Sequence, residues 1–265
     1  MKLRTLTASV AATLTFTGTV AAVAYAPPPS QLCNSGSHYL ESPESTTRYQ
    51  IRPNFWKGTG PTCIAPVGGS GFRVLQTPAP TRPHEQVTTY PDVFAGCTWN
   101  VCSRDSNLPI QVPHLKWAVT SWSTSQHASG TWNAAYDLWM TRHYQTQGHA
   151  DGAEIMIWLN HVGGCCWIFE HPAQYVTLDG IRFLVQHSHA VDSLRHAAWN
   201  YVQFRMLTTR TSVTRLFLGV FIRYCLAHHL IRPSWWLEDV EAGFEIWHGG
   251  VGLATNSFAL KVQPK

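Results

Sequence analysis

Charge is scarce in this chain: Asp, Glu, Lys and Arg make up 13% of its 265 residues, about half the usual share. The formal net charge is only +4, and Lys2 and Arg4 supply part of it. No basic stripe is present, which argues against nucleic acid as a partner. Past the N-terminal region no apolar run could span a bilayer, because the most apolar one, Val213 to Leu230, carries Arg215, Arg223, His228 and His229. There is no Cys-x-x-Cys and no His-Glu-x-x-His spacing, so the fourteen His do not imply a metal site. Internal repeats and long linkers are also missing.

What the chain does have begins with Lys2 and Arg4, an uncharged Ala/Val/Thr-rich run, and small residues before Pro27-Pro28-Pro29. That order predicts a secretory signal peptide over residues 1–26 and a secreted product, with a membrane anchor as the alternative. Residues 27–265 are then long enough for one domain with a substantial core, expected to be a monomer with no membrane partner after cleavage. Twelve Trp and nine Tyr give weight to aromatics with one polar edge, which suits a face that binds a neutral polymer. Seven Cys in an exported chain point to disulfides with at least one thiol left over. Cys97 and Cys102 enclose a four-residue turn in a Pro/Gly/Asn-rich loop, and Cys33 with Cys63 would tie the N-terminus to the next hairpin. Both pairs are expected to bridge, and Cys165, Cys166 and Cys225 are read as unbridged.

Gly, Pro, Asn or Ser interrupts the chain every ten residues or so, with short β-branched and aromatic runs between. The pattern predicts an all-β fold, a sandwich of two antiparallel sheets with one packed α-helix over Thr211–Leu230. Leu237 to Trp247 is read as one strand. Alternation of side chains puts Glu154, Met156, Trp158 and Asn160 on one face, with Ile155, Ile157 and Leu159 inward. Glu245 and Trp247 likewise point away from Phe244 and Ile246. A carboxylate on an apolar strand is costly to bury, so these faces should line a polar cleft. Two such acids beside aromatic platforms describe a sugar-cleaving groove. Asp137, on the strand Thr131–Met140, falls beside Glu154 if the two strands pair, where it could hold and tune that acid. Trp56 is a candidate sugar platform with Asn54 as a nearby donor. The competing reading is a carbohydrate-binding module, which needs platforms but no paired acids.

The combination of Asn133-Ala-Ala-Tyr-Asp137-Leu-Trp, Glu154-Ile-Met-Ile-Trp158-Leu-Asn, Tyr90 to Cys102, and Ala242-Gly-Phe-Glu245-Ile-Trp247 resembles glycoside hydrolase family 12, especially its actinobacterial-type endoglucanases. Arg48-Tyr49 and Asn54-Phe55-Trp56 are similar to the family's N-terminal sugar-binding block. The resemblance implies a β-jelly-roll with a concave cleft and retaining hydrolysis of β-1,4-glucan without a cofactor. It implies Glu154 as nucleophile, Glu245 as acid/base and Asp137 as the nucleophile's helper. Asn54, Trp56, Asn133, Met156, Trp158, Asn160 and Trp247 are the matching substrate-binding candidates, and Cys33–Cys63 and Cys97–Cys102 match the usual disulfides. The segment Gly163 to Pro172 replaces a loop that borders the cleft in relatives, and leaves the choice among cellulose, mixed-linkage β-glucan and xyloglucan open.

Overall fold

The computed structural model describes residues 31–34, 48–81, 86–163, 172–192 and 197–265. The expected signal peptide, most of the 163–172 segment, and Cys165 and Cys166 lie outside the described residues. The first strands are β1 (Leu32–Asn34), β2 (Gln50–Arg52), β3 (Thr62–Val67), β4 (Gly71–Gln76), β5 (Asp92–Thr98) and β6 (Val101–Cys102). Next come β7 (Ile110–Gln111), β8 (Leu115–Ser125), β9 (Gly130–Thr141), β10 (Ala153–Val162), β11 (Gln174–Leu178) and β12 (Ile181–Asp192). The chain closes with β13 (Ala197–Met206), β14 (Ser212–Phe217), α1 (Leu218–Ala227), β15 (Trp236–Gly243), β16 (Ile246–Gly249) and β17 (Ala254–Pro264).

These form two sheets, as the strand pattern predicts. The six-stranded sheet runs β1-β3-β4-β17-β8-β14, and the eleven-stranded sheet has the spine β11-β12-β13-β10-β9-β15-β5-β2. One pair departs from the antiparallel expectation: β10 and β13 are parallel, Glu154 standing opposite Tyr201. Alternation then decides what each face buries. Ala134, Tyr136 and Leu138 of β9 and Ile155, Ile157 and Leu159 of β10 enter the core between the sheets, where Phe72, Trp122 and Phe258 of the smaller sheet meet them. Trp122 sits edge-on to Tyr136 at 5.1 Å and donates its indole N–H to Thr255 Oγ1 at 3.1 Å. The ring is thus buried without orphaning its polar atom.

Two local readings need correction. The Thr211–Leu230 segment is not one helix: residues 212–217 form β14 on the edge of β8, and α1 covers only Leu218–Ala227. The three-residue spacing of Val213 and Leu216 looks helical, but it arises from an irregularity in the ladder with Arg215 at φ 56°. Leu218, Phe221, Ile222 and Cys225 of α1 join the main core, with Phe221 against Phe183 and Phe204 at 5.3 and 5.0 Å. The helix therefore packs into the core that separates the sheets and does not lie on an outer face. Asp92–Thr98, read as part of a loop around the cysteines, is a fully buried strand. Cys33–Cys63 and Cys97–Cys102 are both bridged, and Cys225 is free and buried.

Candidate active site

The outward face of the larger sheet carries rows of register partners. One row reads Phe94, Glu241, Asp137, Met156 and Gln203, across β5, β15, β9, β10 and β13. The next reads Gly96, Asp239, Trp139, Glu154 and Tyr201. Asp137 is therefore diagonal to Glu154, as the sequence reading requires, and directly opposite Glu241, which that reading did not single out.

Glu245 reaches the same face by a break in the strand. The expected single strand Leu237–Trp247 ends at Gly243, and pairing with β9 resumes at Ile246. Gly243 lets the chain turn there: a Cβ at this position would stand 2.4 Å from the Pro91 carbonyl oxygen. Asn133 fixes the displaced acid through three contacts. Its Nδ2 donates to Glu245 Oε2, its Oδ1 accepts from the Glu245 N–H at 3.1 Å, and its own N–H donates to the Glu245 carbonyl at 2.9 Å.

Glu154 accepts a hydrogen bond from the Trp199 indole N–H at 2.7 Å. Trp199 in turn packs on His149, with ring centroids 4.4 Å apart, and on Trp139 at 5.8 Å. Burial and then the charge of Glu245 push Glu154 up to about 8, against the pull of the Trp199 hydrogen bond. Burial also raises Glu245, to about 7, and the Asn133 amide opposes it. Asp137 is held well above the usual carboxylate range by burial, then by Glu154, Glu241, Glu245 and Asp239. Its Oδ1 has no hydrogen-bond partner, and in that setting the neutral acid is the favoured form. The site can therefore hold protons near neutrality, which acid catalysis needs.

Just past β2, Trp56 Nε1 donates to Asn54 Oδ1 at 2.8 Å, and Asn54 Nδ2 donates to Asp92 Oδ2 at 2.9 Å. Asn54 adopts φ 48°, a left-handed backbone that Asn tolerates better than most residues. Met156, Trp158 and Trp247 lie on the expected face but are buried, packed with Val87, Ala135 and Tyr201 in a second small apolar cluster, with Trp56 at its border. The Met156 sulfur accepts from Trp158 Nε1 at 3.3 Å and from Tyr201 Oη at 3.1 Å. These three side chains form a floor under the surface.

Asn160 is different. A bulge between Trp158 and Asn160 shifts the register so that Asn160 pairs with Ala134, whose side chain lies in the inter-sheet core, while His161 pairs with Asn133. Asn160 is thereby turned from the Glu154 face and donates to Gln126 Oε1 at 2.6 Å. His161 takes its place, 6.0 Å from the Trp158 ring, with a buried Nδ1 that has no partner. Sequence reasoning also passed over Trp199, His149, Arg52 and Glu241. Trp199 and Tyr201 are two residues apart, a readable strand signal, but nothing local says that β13 runs beside β10. Among the described residues no group of three or more His, Cys, Asp or Glu side chains could hold a metal ion.

The model for "Glycosyl hydrolase family 12" matches residues 47–263. "Probable cellulase Cel12b" of Mycobacterium tuberculosis is 32% identical over 157 residues, 59% of this chain and 98% of that protein. Endoglucanase S of Pectobacterium parmentieri is 36% identical over 186 residues, and the match spans 64% of each chain. The solved structure of endoglucanase cel12A from Rhodothermus marinus aligns with a TM-score of 0.76 at 33% identity, over 89% of this chain and 100% of that one. With its β-sandwich, its buried acids and a family match over most of its length, the chain belongs to glycosyl hydrolase family 12 and is a glycoside hydrolase related to cellulases and endoglucanases.

Proposed function

We propose that this protein is a secreted endo-β-1,4-glucanase that cleaves internal bonds of cellulose-type glucans with retention, Glu154 acting as nucleophile and Glu245 as acid/base. The observation that carries the reading is a pair of buried acids on one open sheet face, each fixed by its own N–H donor, Trp199 for Glu154 and Asn133 for Glu245. A Glu154 oxygen attacks the anomeric carbon and forms the glycosyl ester. The bond to the leaving sugar oxygen breaks as Glu245 delivers its proton there. Glu245 then takes a proton from water, which attacks the same carbon and frees Glu154. Glu245, raised to about 7, can start protonated; Glu154 is itself raised to about 8 by burial and by Glu245, so it must lose its proton before attack, and the Trp199 N–H favours that loss. Asp137 is the helper, a neutral acid beside the nucleophile. Export is supported by the N-terminal pattern and by the two disulfides.

The test pairs two variants. Glu154→Gln should abolish turnover on every substrate, because no leaving group bypasses the attacking oxygen. Glu245→Ala should keep the glycosylation step on a dinitrophenyl cellobioside, lose β-glucan hydrolysis, and yield a β-glycosyl azide when azide is added. Polymer hydrolysis at the parent rate by both would place the reacting pair elsewhere. Sugar release on carboxymethylcellulose, barley β-glucan and xyloglucan in parallel decides the preferred glucan.

A further inference from the structure

The larger sheet buries acids well beyond the reacting pair. Asp92, Asp137, Glu238, Asp239 and Glu241 are all at most 2% exposed, and β15 alone supplies three of them. Among the described residues, both ion pairs are made by one cation, Arg52, which binds Glu241 through Nη2 and Asp92 through Nε at 2.9 Å. Arg52 is seated by further contacts: its guanidinium lies over the Phe94 ring at 4.7 Å, and Asp92 is held by Asn54, which also receives the Trp56 indole. A hydrogen-bonded chain thus runs Trp56, Asn54, Asp92, Arg52, Glu241.

Glu241 stands at the far end of that chain, directly opposite Asp137 across the β15–β9 ladder. Directly opposed side chains have Cβ atoms about 4.5–5.5 Å apart, and like charges there destabilise each other. Trp139, two residues along the same face of β9, is the register partner of Glu154 and a ring neighbour of Trp199. Asp239, two residues earlier on the same face of β15, is buried with no hydrogen-bond partner on either oxygen, a setting that favours the neutral acid.

We propose that Glu241, held by Arg52 directly opposite Asp137, is a positioning residue for the reaction: it sets the negative charge felt by Asp137 and Glu154. The inference rests on the reading of Glu154 and Glu245 as the reacting pair. The Arg52 guanidinium keeps Glu241 and Asp92 from adding two uncompensated charges beneath Asp137. The groups acting on Asp137 and Glu154 are Glu241 and Asp239 from β15, Glu245 from the following turn, and Tyr90, with His149 beside Trp199; Arg52, Asp92 and Glu238 act on Glu241 itself. Glu241 contributes to the upward push on both Asp137 and Glu154.

The experiment is the pH profile of kcat/KM on barley β-glucan for Glu241→Gln, Arg52→Gln and the double variant. Glu241→Gln removes a like charge, so the acid limb should move down by about half to one pH unit. Arg52→Gln strips the compensating charge, so the limb should move up by a similar amount with a roughly tenfold loss in kcat/KM. The double variant should return to within about 0.3 unit of the parent, because losing the carboxylate and losing the cation shift the limb in opposite directions. Limbs that stay in place while only the melting temperature falls would reduce Glu241 to a structural role and overturn the inference. If Arg52→Gln does not fold, the indole ¹H–¹⁵N resonance of Trp199, followed against pH in the parent and in Glu241→Gln, reads Glu154 directly. A lower midpoint in Glu241→Gln supports the proposal, and an unchanged or higher one overturns it. Glu154→Gln separates the two readings: if that variant still turns over, the assignment of the site fails. If it is dead while the limbs of the other variants do not move, only the role of Glu241 fails.

Discussion

Trp199 donates its indole N–H to Glu154 at 2.7 Å from the strand that lies parallel to the one carrying the acid. A hydrogen bond to a charged acceptor contributes about 1.5–3 kcal/mol, so this contact favours the ionised form of the carboxylate. Trp199→Phe keeps an aromatic ring and deletes the donor. Glu154 should then titrate higher, moving the acid limb of kcat/KM up by about half to one unit, with about a tenfold loss in rate. Stopped assays across pH on β-glucan would show it. A limb that stays in place would mean the indole acts only by filling space.

Asn133 does the corresponding work for Glu245, and its amide lowers the acid that burial has raised to about 7. Asn133→Ala should therefore raise Glu245 and shift the alkaline limb to higher pH. It should also cost about 1–3 kcal/mol in a urea melt, since a buried partner is left unsatisfied. An alkaline limb that does not move would detach Glu245 from the acid/base role.

Glu238 gives a prediction about stability alone. Burial, then Glu241 and Asp151, push it up to about 8. A carboxyl whose folded pKa exceeds its unfolded value, about 4.3, binds its proton more tightly in the native state. Its contribution is complete below about pH 4 and is lost as pH rises through about 8. Glu238→Gln should match the parent melting temperature at pH 4 and exceed it by about 2–4 °C at pH 8. Calorimetry at the two pH values checks this, and a variant less stable at pH 8 would show that the charge is compensated in the fold.

Trp56→Ala tests the expected sugar platform. Trp56 is half-buried at the border of the small apolar cluster and is tilted 6.1 Å from the Tyr90 ring, with its N–H held by Asn54. If its free face stacks on a sugar, removal should raise KM about tenfold or more with kcat less affected. Unchanged kinetics in a folded variant would leave Trp56 a packing residue.

Alternation in Ala153–Val162 and in Thr131–Met140 is local, so the sequence by itself determined which side of those strands enters the core, and that Glu154, Asp137 and their neighbours do not. It determined the β-sandwich class as well, because turn residues recur too often for long helices. Alternation also singled out Glu245, but on the expectation of one continuous strand from Leu237 to Trp247, and the strand is broken there. What local pattern could not carry was register and neighbourhood. A bulge after Trp158 exchanged Asn160 for His161 on the open face, and an irregular edge strand imitated a helix at Val213 and Leu216. The parallel alignment of β13 with β10 brought Trp199 onto Glu154 across 45 residues, and the β15–β5–β2 ladders gathered Glu241, Asp92 and Arg52 from three strands. Long-range pairing fixes those contacts only after the sheet has formed, because strand order depends on which surfaces the whole chain can bury together, and no window of sequence contains that information.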